Sequence, residues 1–306
     1  MSKLQLFMKA SRIQVIPVML IPVVLGALGS YAWDGVFHPL LLLITLIGSA
    51  SAHLFSNMIN DLWDYRSGVD VAAKETSGTI STNSGFLANG VMKESTFSII
   101  TWSLFGIGMA CAVILSLISG WWAFVLGLLG GLIAYFYVGP PLKFGYRGKG
   151  YSEIAILLSF GVLPIAGSYY VQTGSFDYRA ILLSLPIGLL TTLVLFNHHF
   201  LHWQADKLAG KKTLVVVWGE DRALRFSKML LFLAYGTLIL CVLLNILPIY
   251  ALAALVTAIP LYLTYGRLNR GKQALGFLPL MKASLQASMR CGAIMMIALL
   301  IHGLIQ

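Results

Sequence analysis

Charge is what this chain has least of. Only 10% of its 306 residues are Asp, Glu, Lys or Arg, eleven of them acidic, while 58% are apolar. A soluble domain of this size has no use for so much apolar surface, so the composition excludes an ordinary globular protein and leaves a polytopic membrane protein. Cysteine is rare too. Cys111, Cys241 and Cys291 lie inside apolar runs with no CxxC spacing, which argues against a disulfide framework or a thiolate metal site and reads as small buried residues. The first apolar run begins near Ile13 and lacks a small-residue cleavage site, so no removable signal peptide is expected. Gly-Lys-Lys at 210–212 lacks the rest of a P-loop, and nothing marks a haem, flavin or nucleotide site.

What is there is a series of apolar runs long enough to span a bilayer, about 20 residues each. They fall at 13–32, 39–61, 96–118, 121–138, 153–172, 180–204, 226–245, 247–266 and 288–305. The expectation is a single all-α domain over 1–306, a bundle of nine transmembrane helices. The net charge of +10 admits a nucleic-acid partner, but the charge follows the topology instead. With nine helices every Lys and Arg except Arg179 falls on one side, after helices two, four, six and eight or before helix one. The positive-inside rule makes that side cytoplasmic, with the N-terminus inside and the C-terminus outside. The opposite connections, at 32–38 and 172–179, are short and poor in charge. The polar chemistry therefore faces the cytosol, as in an enzyme or receptor; a transporter more often carries paired broken segments at the midplane.

Three polar stretches stand out on that side. Asn57 to Asp70 reads NMINDLWDYRSGVD and ends the second run. His53, Asn57, Asn60 and Asp64 share one helical face, placing polar groups where a membrane helix should be apolar, and such groups mark a site by default. Oxygen ligands at this spacing suit a hard cation such as Mg²⁺ and hence a phosphate substrate. A hydrated helix end followed by an Asx turn is the structural alternative. The second stretch, 197–213, reads NHHFLHWQADKLAGKKT, with His198, His202 and Asp206 at i, i+4 and i+8, predicted to share a helical face. Two ladders that face each other can clamp a diphosphate through cations, with Lys207, Lys211 and Lys212 on its outer oxygens. Positive-inside charge and interfacial polar packing are the plainer accounts of these lysines and histidines. The third, 135–153, reads YFYVGPPLKFGYRGKGYSE. Its prolines end a helix and its glycines permit a tight loop. Lys143 and Arg147 are placed to contact an anion, Tyr146 to orient an aromatic acceptor, and Glu153 to pair with a basic neighbour or cap the next helix. As an isolated stretch it also reads as an ordinary basic turn.

Together these residues resemble the UbiA superfamily of intramembrane aromatic prenyltransferases. NDLWDYRSGVD looks like the first Asp-rich motif of that family, YFYVGPPLKFGYRGKGYSE like its YxxxPxxLKxR loop, and ADKLAGKKTLVVVWG like the end of its second Asp-rich motif. SFGVLPIAGSYYVQTG at 159–174 is most similar to the menaquinone branch, 1,4-dihydroxy-2-naphthoate polyprenyltransferase. The resemblance implies an integral, multi-pass enzyme of a bacterial inner membrane that moves a polyprenyl group from its diphosphate to an aromatic acceptor. It implies Mg²⁺ on Asn60, Asp61, Asp64 and Asp206, with Lys143 and His202 also catalytic. Asn57, Tyr135, Tyr146, Arg147, His198, His199, Lys207 and Lys211 would border the substrates. The apolar helices would hold the isoprenoid tail, with aromatic faces steadying an allylic cation.

Three positions depart from the pattern. His198 and His202 stand where the second motif has Asn and then Asp, Gly68 where the first motif often has its last Asp (Asp70 follows), and Phe86 where the menaquinone-type loop has Arg. Imidazole in place of carboxylate moves a metal site from Mg²⁺ toward Mn²⁺, Fe²⁺ or Zn²⁺, or leaves one cation with the histidines on the diphosphate or the acceptor. The alternatives are a different acceptor, terpene-cyclase chemistry, or a lipid-binding or transport relative without catalysis. Acceptor, tail length, metal count and oligomeric state are open at this stage.

Overall fold

The computed structural model describes residues 3–68, 84–269 and 274–305; Asp70, Lys74, Thr82, Asn83, Arg270 and Lys272 lie outside them. In chain order the helices are α1 (Lys3–Ala10), α2 (Pro17–Asp34), α3 (Pro39–Arg66), α4 (Glu94–Ser119), α5 (Trp122–Val138) and α6 (Tyr151–Thr173). There follow α7 (Tyr178–His199), α8 (Trp203–Leu208), α9 (Leu214–Trp218), α10 (Glu220–Leu243), α11 (Ile249–Gly266) and α12 (Ala274–Ile305). Among the described residues the only strand-like pairing is an isolated bridge between Arg147 and Lys212. Eight helices among the described residues are long and apolar enough to cross a membrane. The remaining apolar segment, α5, has 17 residues.

The bundle has two large packed regions and a small one around Leu115, Ala123, Tyr170 and Val171. Helices α2, α6, α7, α10 and α12 share the larger core, with Leu25, Ile165, Leu183, Leu190, Leu238 and Cys291 fully buried. Helices α3 and α4 pack along each other around Phe55, Met58, Leu62 and Phe97. Lipid is as apolar as leucine, so such helices associate through close fit rather than hydrophobic transfer, and small residues set the fit. At the α6–α7 crossing a Cβ on Gly161 would meet the Gly188 Cα at 2.8 Å. Gly161 lies in a π-helical stretch of α6 over Leu158–Val162, which shifts the register of the residues before it relative to those after it.

Two expected boundaries change. The run 180–204 is not one helix: α7 ends at His199, and His202 has φ −143° and ψ 16°. The turn buries Phe200 against Phe277, rings 4.7 Å apart, along with Leu201, and redirects the chain. His198, His202 and Asp206 therefore do not share a continuous helical face. The last helix starts at Ala274 instead of 288, so Lys282 and Arg290 lie within it. Two of its serines meet α7: Asn197 Nδ2 donates to Ser284 Oγ at 2.8 Å, and Ser288 Oγ lies 3.4 Å from Thr191 Oγ1. A partnered hydroxyl is tolerated inside a bundle, which is how a polar-looking run becomes helix.

At one end, α2, α6 and α7 are tied together by charge. Arg179 Nη2 reaches Asp34 at 2.9 Å and Asp177 at 2.6 Å, Tyr169 donates to Asp34 at 2.6 Å, and the guanidinium lies over Trp33. Asp177 also caps α7, accepting from the Arg179 N–H at 2.6 Å. The site-bearing residues gather at the other end.

Candidate active site

Helix α3 continues past the apolar run to Arg66, so Asn57, Asn60, Asp61 and Asp64 are all helical. Asp61 and Asp64 are buried. Asp61 is held by two donors: the Arg12 guanidinium on one oxygen and the Ser84 N–H on the other at 2.9 Å. Arg12 reaches it because its backbone is left-handed, φ 55°, at the turn between α1 and α2. Asn57 donates to the Ser11 carbonyl at 3.0 Å, and its Nδ2 lies 3.4 Å from His53 Nε2. Phe86, in the loop after α3, is buried among Leu54, Met58 and Ile59, an apolar filler beside the backbone that holds Asp61.

Asp64 faces a different set. The Tyr146 hydroxyl donates to its Oδ1, and Lys211 Nζ stands 3.9 Å from its Oδ2. The same ammonium is 3.9 Å from Asp206 Oδ1 and 4.8 Å from the Tyr146 ring centre. His202 Nε2 lies 3.6 Å from the other Asp206 oxygen. Local backbone explains the convergence. The Lys211 N–H closes the end of α8 on the Asp206 carbonyl at 2.8 Å, and Gly210 supplies the left-handed residue that this turn requires. The Lys212 N–H bonds the Tyr146 carbonyl at 3.0 Å, fastening the 135–153 loop to the second Asp-bearing turn.

Electrostatics follow from burial. Asp206 is pushed up to about 6 by burial, partly offset by Lys211. Burial alone would lower Lys211, but Asp64 and Asp206 outweigh it and hold the ammonium above its ordinary range. Burial, then Lys211, keeps the His202 imidazole well below its usual value and neutral. Burial and the Asp64 charge raise the Tyr146 phenol, so it remains a donor.

The other sequence candidates divide. Lys143 lies 6.0 Å from the Trp63 ring at the rim. Arg147 is exposed and bonds the Leu142 carbonyl at 2.8 Å, and Lys207 and Lys212 are exposed, so of the three lysines only Lys211 turns inward. Tyr135 packs among Trp63 and Trp102. Glu153 sits buried in the first turn of α6, the second of the two places expected for it, and its Oε1 has no hydrogen-bond partner. His198 and His202 rings are 4.7 Å apart and His199 and His202 rings 6.1 Å. Among the described residues no group of three or more His, Cys, Asp or Glu is arranged to hold a metal ion, so neither the histidines nor the expected set of Asp61, Asp64 and Asp206 forms a ready cage, and both Asp61 oxygens are taken up by Arg12 and the Ser84 N–H instead. Arg12 and Ser84 are the residues that sequence reasoning missed. Arg12 counted there only as topological charge, and its left-handed turn has no clear local signature.

Several residues of these elements carry buried side-chain atoms without a hydrogen-bond partner, among them Arg12 Nε, His53 Nδ1, Asn60 Oδ1, Trp63 Nε1, Glu153 Oε1, His199 Nδ1, His202 Nδ1 and Asp206 Oδ2. Such atoms cost free energy unless something meets them. Asp206 Oδ2 is a hard oxygen acceptor at a point already favourable to a cation, and Asn60 Oδ1 is another one turn before Asp64 on α3, the donor chemistry that fits Mg²⁺. An apolar cavity lies between α3, α4, α5 and α6, deeper in the bundle and toward the Arg179 end, lined by small residues such as Ala52, Gly108, Gly127, Gly130 and Gly167.

The model of the family described as UbiA prenyltransferase matches residues 19–285. The chain is 30% identical over 246 residues to the 2-carboxy-1,4-naphthoquinone phytyltransferase of Synechocystis, covering 78% of this chain and 75% of that one. It is 28% identical to the 1,4-dihydroxy-2-naphthoate octaprenyltransferase of Escherichia coli, over 82% and 80% of the two chains. Among solved structures, a UbiA homolog from Archaeoglobus fulgidus bound to GPP and Mg²⁺ superposes with a TM-score of 0.65 at 18% identity, over 95% and 99%. One from Aeropyrum pernix does so with a TM-score of 0.68 at 16% identity, over 93% and 97%. These two carry the fold.

Proposed function

Because this chain belongs to the UbiA prenyltransferase family, and is a multi-pass membrane prenyltransferase, we propose that it transfers a polyprenyl group from its diphosphate to 1,4-dihydroxy-2-naphthoate. The observation that carries the site is Lys211, lodged between carboxylates from two different helix ends. That geometry makes a cation position, and a diphosphate brings its own cation to such a place. The acceptor assignment draws on the naphthoate and naphthoquinone prenyltransferases to which the chain is similar.

Asn60, Asp64 and Asp206 would hold Mg²⁺, which when bound neutralises charge on the departing diphosphate. Lys211 binds the outer diphosphate oxygens, and Lys143 meets them at the rim. Arg12 and Ser84 keep Asp61 fixed, so Asp61 orients the turn of α3 that presents Asn60 and Asp64. The apolar cavity, deeper in the bundle, takes the isoprenoid tail. As the prenyl C–O bond breaks, the electron-rich ring carbon attacks the allylic centre. Tyr146, kept protonated, donates to Asp64 and fixes the direction in which that carboxylate presents its other oxygen, and neutral His202 is free to accept a proton from the acceptor. The site opens to the cytosol, in a bacterial inner membrane, and the whole chain acts as one domain. His202 in place of a carboxylate favours a second reading: the same transfer to a different acceptor, with Mn²⁺ accepted beside Mg²⁺.

The test is transfer by purified protein from labelled polyprenyl diphosphate to a panel of acceptors including dihydroxynaphthoate, with Mg²⁺, Mn²⁺ or EDTA. Metal-dependent prenylation of dihydroxynaphthoate is expected. Transfer only to another ring supports the second reading. No transfer to any acceptor, with donor bound, rules out both.

A further inference from the structure

The Lys211 ammonium is 3.9 Å from Asp64 and 3.9 Å from Asp206, beyond hydrogen-bonding distance of either. It is held by charge rather than by fitted hydrogen bonds. Asp61 differs, because Arg12 and the Ser84 N–H both bond it directly. Lys211 is also free to leave in a way that Arg12 is not. Its backbone is pinned by the bond to the Asp206 carbonyl, but its ammonium, on a four-carbon stem, lies over the face of Tyr146, 4.8 Å from the ring centre. Swinging over that face moves the charge away from the carboxylates while keeping a favourable cation–π contact. Asp206 Oδ2, on the carboxylate that Lys211 faces through its other oxygen, is buried without a hydrogen-bond partner.

We propose that Lys211 is an internal counter-cation that holds the place of the divalent metal between Asp64 and Asp206 and passes to the donor's diphosphate when the metal arrives. The inference rests on the reading that these acids take a divalent cation. A metal arriving alone must displace the ammonium into a pocket that offers it no anion. A metal arriving with a diphosphate displaces it onto phosphate oxygens. Metal and diphosphate therefore bind cooperatively, and metal alone binds weakly. This keeps the site from loading with a bare metal ion, and it gives Lys211 two partners in sequence rather than a fixed structural role.

The test has a sign that a structural ion pair does not share. Full-length protein in detergent is titrated with Mn²⁺ in the absence of donor, and bound Mn²⁺ is read by electron paramagnetic resonance. Lys211→Met and Lys211→Gln remove the competing charge and leave two uncompensated carboxylates, so they should bind Mn²⁺ tighter than the parent by about tenfold, within the range typical of coupling between sites. Lys211→Arg should stay near the parent. With a non-reacting thiolodiphosphate analogue present, the parent should gain Mn²⁺ affinity and the neutral variants should gain much less. Parent-like or weaker Mn²⁺ binding by a folded Met or Gln variant overturns the proposal. If the parent binds no Mn²⁺ with or without the analogue, the metal reading itself falls; tight metal-alone binding by the parent overturns only the Lys211 inference.

Discussion

The two ends of this molecule each gather aspartates around one buried or half-buried cation, and they do opposite things with them. At the Arg179 end, Asp34 and Asp177 accept direct bonds of 2.6–2.9 Å from Arg179 and Tyr169. At the Lys211 end, Asp64 and Asp206 share an ammonium at 3.9 Å, and Asp206 Oδ2 has no hydrogen-bond donor. The titration of the acids reflects this. Burial would raise Asp177, but bonds from Arg179 prevail and hold it below its ordinary value. Asp206 is driven up to about 6 because burial outweighs Lys211. Equal residue types thus make a closed clamp in one place and an incomplete charge set in the other. Incompleteness, more than the presence of acids, is what distinguishes a site from a strut.

The comparison breaks most visibly at Asp64. Replacing it with Ala should lower turnover at least a hundredfold, on the order of losing one main electrostatic contact to the transition state. The folded helix content should be kept, because the residue sits at a helix end rather than in the core. Transfer kinetics and circular dichroism on the same preparation check both halves; parent-like turnover would remove the first ladder from the mechanism. The mirror experiment is Arg179→Ala. Two carboxylates then lose the guanidinium and keep one donor each, Tyr169 on Asp34 and the backbone N–H of position 179 on Asp177, which should cost about 1–2 kcal/mol of stability, discounted for their partial exposure. Turnover at a permissive temperature should remain within twofold. A large loss of activity without loss of thermal stability would mean that the two ends are coupled and the contrast drawn between them is wrong.

Acidity sharpens the contrast further. Because Asp206 is raised when folded, its contribution to stability is present below its unfolded value and is lost as pH rises through about 6. Protein lacking a divalent ion should therefore lose a little stability across that window, while the charged carboxylate becomes able to hold a cation. The stabilisation produced by added Mg²⁺ should then grow as pH rises from about 5 to 7. Melting curves with and without Mg²⁺ measure it, and Asp206→Asn should flatten the dependence. Asp177, held low, contributes in the opposite sense at more acidic pH and should leave this window unchanged.

Much of this was readable from residues alone, for physical reasons. Apolar runs announce membrane helices because lipid permits little else, and the α3 ladder announces itself because Asn60 and Asp64 are costly there. The break after His199 was not readable. A period of four fits His198, His202 and Asp206 whether or not the helix continues, and the turn is imposed by Phe200 finding Phe277, 77 positions away. Arg12 was hidden for a related reason: a left-handed residue carries it to Asp61 across 49 positions. The choice among Lys207, Lys211 and Lys212 was hidden too. A short helix and the Gly210 turn decide which of three equivalent charges points inward.

The smallest expected effect tests that last point. Arg147 carries the basic loop position that the resemblance places near the diphosphate, yet it is exposed and its Nε is bonded to the Leu142 carbonyl. Its backbone, through the bridge to Lys212, helps hold the loop that presents Tyr146 to Asp64, while its charge lies outside that contact. Arg147→Ala should therefore change the KM for the donor by less than about threefold and leave kcat unaltered, as expected for an exposed charge contributing about 0–1 kcal/mol. Tyr146→Phe, by contrast, removes a hydroxyl bonded to Asp64 and should act on kcat. If Arg147→Ala instead raises the KM tenfold or more, the loop closes over the diphosphate during the reaction. The charge placed outside the site in this structure would then belong inside it.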